Sequence, residues 1–92
     1  MLGHPAGELD AVPPSLWLEA ARAYVAGDPA RAAGIYAEIG SRPDEAYARL
    51  QAARGLIAGG HAAEANSELT IARTFYREVG ANAYLAEVEA LS

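Results

Sequence analysis

Glycine punctuates this chain. From Ser15 onward apolar residues recur three or four positions apart, and each of the first four such stripes stops at a glycine. Residues at that spacing share one face of an α-helix, and a glycine just past the last of them can take the left-handed conformation that closes a helix. Trp17, Ala20, Ala21 and Tyr24 form the first stripe, ended by Gly27. Asp28-Pro29 restarts the helix, with aspartate as N-cap and proline at the first helical position. Ala32, Ile35, Tyr36 and Ile39 follow, closed by Gly40. Ser41-Arg42-Pro43-Asp44 has the form of a capping box, in which the serine caps and the acid reaches back. The third stripe is Ala46, Leu50, Ala53 and Ile57, stopped by Gly59-Gly60. Glu45 and Arg49, four apart, fall on its outer face in the favourable order. The fourth is Ala65, Leu69, Ala72, Tyr76 and Val79, stopped by Gly80, after which Asn82 is placed to cap a last helix bearing Leu85, Val88 and Leu91.

The pattern predicts an all-α chain of about five helices. The joining turns are so short that consecutive helices must be antiparallel neighbours. No stretch alternates with period two, and β-branched residues are too sparse for a strand. The first residues, to Pro14, hold Gly3, Pro5, Gly7, Pro13 and Pro14 without periodicity and predict a flexible arm, 1–14, ahead of one domain, 15–92.

Composition narrows the partners. Much of the apolar content is alanine, the best helix former and a poor core filler, so helices must approach closely. Ninety-two residues with a net charge of −5 and scattered arginines offer no basic stripe for phosphates, which argues against nucleic acid. No apolar run is long enough to span a bilayer, and the opening residues lack the basic and apolar regions of a signal peptide. There is no cysteine, which fits a reducing compartment. The expectation is a cytoplasmic protein without a membrane contact.

Sliding the chain on itself by thirty-three positions brings Trp17 onto Leu50, Ala20 onto Ala53, Tyr24 onto Ile57, Gly27 onto Gly60, Ala32 onto Ala65, Tyr36 onto Leu69 and Ile39 onto Ala72. A self-match near this period marks stacked helix hairpins. With Trp17, Ala20, Ala21, Tyr24, Gly27-Asp28, Ala32 and Tyr36, the chain resembles the tetratricopeptide repeat family. The weaker second copy runs through Leu50, Ala53, Ile57, Gly60, Ala65, Leu69 and Ala72, with Arg54 where that family prefers a small residue. The resemblance covers Ser15 to Val79 and implies antiparallel hairpins stacked as a short solenoid: repeat one 15–42, repeat two 43–80, and a capping helix 82–91. A narrower resemblance, in Ile39 to Glu45 and Phe75 to Ala81, is to the helical-repeat tail of actinobacterial multidomain ATPase, nucleotide-cyclase or LuxR-type regulators. None of their catalytic motifs is present.

A search for chemistry yields little. His61 and Glu64 are three apart, yet two ligands are too few for a metal site. Gly34 to Gly40 lacks the lysine of a phosphate loop. No acid pair is set apart for proton transfer. No metal, no cofactor and no enzymatic activity are expected. Trp17, Tyr24, Tyr36, Tyr76 and Tyr84 read as packing residues.

The resemblance implies that first helices line the concave side of the array. The outward polar positions there are Glu19, Arg22, Gln51 and Arg54, and the two arginines could receive an acidic segment through their planar forks. Leu16, Trp17 and Leu18 are consecutive and cannot all face one neighbour. With Trp17 inward, Leu16 or Leu18 and Val25 form an outer patch, which predicts self-association as a homodimer. The function expected is a non-catalytic protein–protein interaction module with a protein or peptide partner. One alternative is a regulatory or structural tail of a larger signalling or transcription-regulating protein. Another is a small-ligand sensor, for which so alanine-rich an interface should leave little room.

Overall fold

The computed structural model describes residues 13–92, so the arm expected over 1–14 lies almost wholly outside the described residues. The chain is all-α. Among the described residues five helices follow one another: α1 Pro14–Val25, α2 Pro29–Ile39, α3 Arg42–Ala58, α4 Ala62–Val79 and α5 Asn82–Leu91. Each packs mainly on its sequence neighbours, and the molecule is elongated and thin, 50 × 30 × 17 Å. No described helix is long and apolar enough to cross a membrane.

The turn between α1 and α2 is built from three backbone hydrogen bonds. Ala26 N–H donates to the Arg22 carbonyl, Gly27 N–H to Tyr24 and Asp28 N–H to Ala23. Thirty-three residues on, between α3 and α4, Gly59, Gly60 and His61 make the same bonds to Gly55, Ile57 and Leu56. Gly27 and Gly60 have φ of 85° and 83°, values that L side chains adopt only under strain. The internal match in sequence therefore marks a duplicated turn. Asp28 caps α2 as expected, its carboxylate accepting from the Arg31 N–H at 3.2 Å.

Two other caps differ from expectation. The Ser41 hydroxyl donates to Asp44 Oδ2 at 2.6 Å and makes no bond to the helix backbone. The serine and the acid of the anticipated capping box thus satisfy each other. Asn82 does not cap α5 but is its first residue, and Ala81 holds the N-cap position without a side-chain bond.

Two cores meet at α3. One joins Ala46, Leu50 and Ala53 to Ala65, Leu69, Ala72 and Tyr76 of α4 and Val88 of α5. The other joins Ala20 and Ala23 of α1, Ala32, Ala33 and Ile35 of α2 and Ala48 of α3. As the middle element, α3 buries side chains on both flanks. Its stripe was expected to end in Ile57, but Leu56 packs against the core in its place and Ile57 is exposed. Val79 is likewise exposed at the end of α4.

On α1 the inward stripe is Leu16, Ala20 and Ala23. Steps of four and three keep those three residues on one face, whereas Trp17 is turned from Leu16 by about 100°. Trp17 is half-exposed and meets Tyr36 edge-on at 6.2 Å, and Ala21 is exposed. The self-association set of Leu16, Leu18 and Val25 is therefore divided. Leu16 packs into the core, while Leu18 (50%) and Val25 (85%) are exposed.

Glu45 and Arg49 do pair, at 2.8 Å, but not on an outer face. Arg49 also binds Glu68 of α4 at 2.8 Å, with all three side chains largely shielded between the helices. A guanidinium fork between two carboxylates suits this half-buried seam, because each donor lost to water finds an acceptor.

Candidate functional site

Aromatic side chains gather at one end of the helical array. Pro43, Asp44 and Tyr47 lie on one face of the first turns of α3, since steps of one, three and four bring them together. Phe75, Tyr76 and Val79 occupy the last turns of α4, and Tyr84 follows the Gly80-Ala81 turn in α5. These residues line an open groove of about 590 Å³. It lies beside the Gly80-Ala81 turn where α5 begins, with the small Ala81 in its lining.

The rings touch in sequence. Tyr76 and Tyr84 stack at 5.1 Å and 15°. Tyr84 meets Tyr47 edge-on at 6.1 Å, and Tyr47 meets Tyr24 of α1 at 6.3 Å. Phe75 closes the other end, edge-on to Tyr76 at 5.7 Å. Beyond Tyr47 a smaller hollow of about 110 Å³, shared with Tyr24, Tyr36 and Asp44, extends the aromatic surface across α1 and α2. Such offset and edge-on pairs are the favoured arrangements of aromatic quadrupoles.

Of these rings only Tyr76 is fully buried, at 3% exposure, while Tyr47 (41%) and Tyr84 (42%) are open to solvent. Burial, followed by the neighbouring Tyr84, Glu87 and Tyr47, pushes the Tyr76 hydroxyl up to about 12. Burial and the adjoining Tyr47 also raise Tyr24. Both hydroxyls stay protonated near neutral pH.

In a neighbouring hollow that shares Phe75, Arg42 pairs with Glu78 at 2.9 Å and sets its guanidinium 5.0 Å from the centre of the Phe75 ring. The hydrogen bond from Arg42 holds the Glu78 carboxyl below its ordinary range. Both side chains are exposed, so the pair adds little stability.

The residues expected to receive a partner do not form one site. Glu19 and Arg22 line a separate shallow groove of about 400 Å³ with Asp28 and Arg31. Gln51 is half-buried on α3. Arg54 is bound to Glu87 of α5, so its fork is already occupied within the molecule. His61 Nδ1 lies 3.3 Å from Glu64 Oε1, and no group of three or more metal-ligating side chains occurs among the described residues.

Tyr47 and Phe75 were not singled out in the sequence. Tyr47 falls between the two buried flanks of α3, and Phe75 sits one position off the α4 stripe. A signal was present in the four-residue spacings Pro43–Tyr47 and Phe75–Val79 beside the two turns that bring them together. The groove also departs from the expectation that alanine packing leaves little room, because its walls are rings at the ends of helices and not alanines in their middles. No protein-family model, no curated protein and no solved structure matches the chain.

Proposed function

We propose that this chain is a non-catalytic protein-interaction module that docks a peptide segment of its partner in the aromatic groove between α3, α4 and α5. The observation that carries this reading is the groove itself, whose rings and aliphatic side chains stand open at the surface (Val79 at 57%). A contiguous exposed apolar patch on a soluble domain usually marks a contact surface, and tyrosine is prominent among the anchors of such contacts. The duplicated turn and the tetratricopeptide-like spacing support an array of hairpins, an architecture whose common use is to present an extended face.

A second reading, a small-molecule sensor, draws on the volume, which falls within the roughly 300–1,000 Å³ of typical ligand pockets. The groove is open and not enclosed, which favours a chain laid across it. Peptide selection from a random library tests the proposal. Selected peptides should lose binding to a Tyr47→Ala/Tyr84→Ala double variant that melts cooperatively. Peptides that bind this variant as well as the parent would place the docking surface elsewhere.

A further inference from the structure

If the groove is a docking surface, as proposed above, its chemistry constrains what it receives. Its open walls are the Tyr47 and Tyr84 rings, and its floor is Tyr76 stacked on Tyr84. An aromatic face carries negative potential and attracts a cation, most strongly where water is partly excluded. The one charged side chain lining the groove is Asp44, an anion that accepts a hydrogen bond from Ser41 and makes no ion pair among the described residues. Arg42 lines a neighbouring hollow, where it is held by Glu78 and leans on Phe75, a ring that the hollow shares with the groove. That contact shows that this ring accepts a guanidinium. The whole chain carries −5, so its long-range field also favours a basic partner.

We propose that the groove receives an arginine side chain of a basic partner segment. The guanidinium lies against the Tyr84 ring, with Tyr47 standing nearly perpendicular beside it, and reaches toward the Asp44 carboxylate, while the aliphatic stem runs along Val79. Arginine fits because its planar, weakly hydrated head stacks on rings while its fork meets a carboxylate. The polarity is the reverse of the acidic partner that Arg22 and Arg54 suggested from sequence.

The test uses the full chain and three fluorophore-labelled peptides, alternating leucine with arginine, with its neutral isostere citrulline, or with glutamate. Fluorescence polarisation gives affinities, and ring-proton NMR locates binding. The arginine peptide should bind about tenfold more tightly than the citrulline peptide, the scale of a desolvated cation–π contact. Tyr84→Leu should erase that preference without changing the protein's charge, Tyr84→Phe should keep it, and Asp44→Asn should reduce it. General attraction of a basic peptide to an acidic protein would survive Tyr84→Leu, and that result would overturn the proposal. Equal binding of arginine and citrulline peptides at Tyr47 and Tyr84 would refute the cation preference but leave the docking groove standing. Preference for the glutamate peptide would reverse the assignment. Failure of all three peptides to shift the Tyr47, Phe75 and Tyr84 resonances would count against both the arginine preference and the docking groove.

Discussion

Alanine occupies the tightest places in this molecule. Ala53, Ala65 and Ala72 are completely or almost completely buried in the core shared by α3 and α4, where a longer side chain has nowhere to go. Ala65→Arg should destabilise the fold by on the order of 3 kcal/mol or more, since it overfills the contact and buries an unpaired charge. Ala63→Arg, two residues away at an exposed position, should leave the melting temperature nearly unchanged. Thermal circular dichroism of the pair checks this, and a cooperative, unshifted melt for Ala65→Arg would contradict the packing described. Tyr76 makes a second prediction at this scale. Its hydroxyl is raised to about 12 from an ordinary 10.0, so the unfolded chain loses that proton first. The stability linked to Tyr76 is complete below pH 10 and drains away as pH rises through about 12. Tyr76→Phe should therefore melt with a shallower decline over that window than the parent.

At the scale of the helix, boundaries were legible because they depend on local chemistry. Gly27, Gly40, Gly60 and Gly80 all take the left-handed conformation, and Asp28 and Pro29 open α2 as their side chains require. What was not legible depends on neighbours. A single stripe anticipates one packing partner, whereas α3 has two, so Ala48 is buried and Arg49 is drawn into the seam with α4. On α1 the Trp17, Ala20, Ala21 and Tyr24 stripe and the family resemblance suggested an inward Trp17, a position that the Leu16–Ala20–Ala23 register gives to Leu16. Leu18 and Val25 are seven apart, nearly two full turns, and share the opposite face. Because α1 packs chiefly on α2, that stripe predicts association of two copies through α1. Sedimentation equilibrium should show a concentration-dependent dimer that Leu18→Glu abolishes without lowering the melting temperature. A mass that stays monomeric at high micromolar concentration would refute it.

The whole molecule is asymmetric in what holds it together. The α3–α4–α5 core contains Leu50, Leu69, Tyr76 and Val88, whereas the α1–α2 core is alanine with Ile35 as its one larger buried residue. Since apolar burial scales with area, amides of α1 and α2 should exchange with deuterium faster than those of α3 and α4, with α1 opening first. Equal protection throughout would mean that the two cores unfold as one. The aromatic groove adjoins the core with the larger side chains, which suits the docking role proposed for it, since a preformed surface loses less freedom on binding. Its recognition from sequence failed for a topological reason: Tyr47, Phe75 and Tyr84 meet only because the α2–α3 and α4–α5 turns lie at the same end of the array. The most direct test of the docking proposal is an NMR titration of the chain with a library-selected peptide. Shifts should concentrate at Tyr47, Phe75, Tyr76, Val79 and Tyr84, and shifts confined to the Leu18–Val25 face of α1 would contradict docking in the groove.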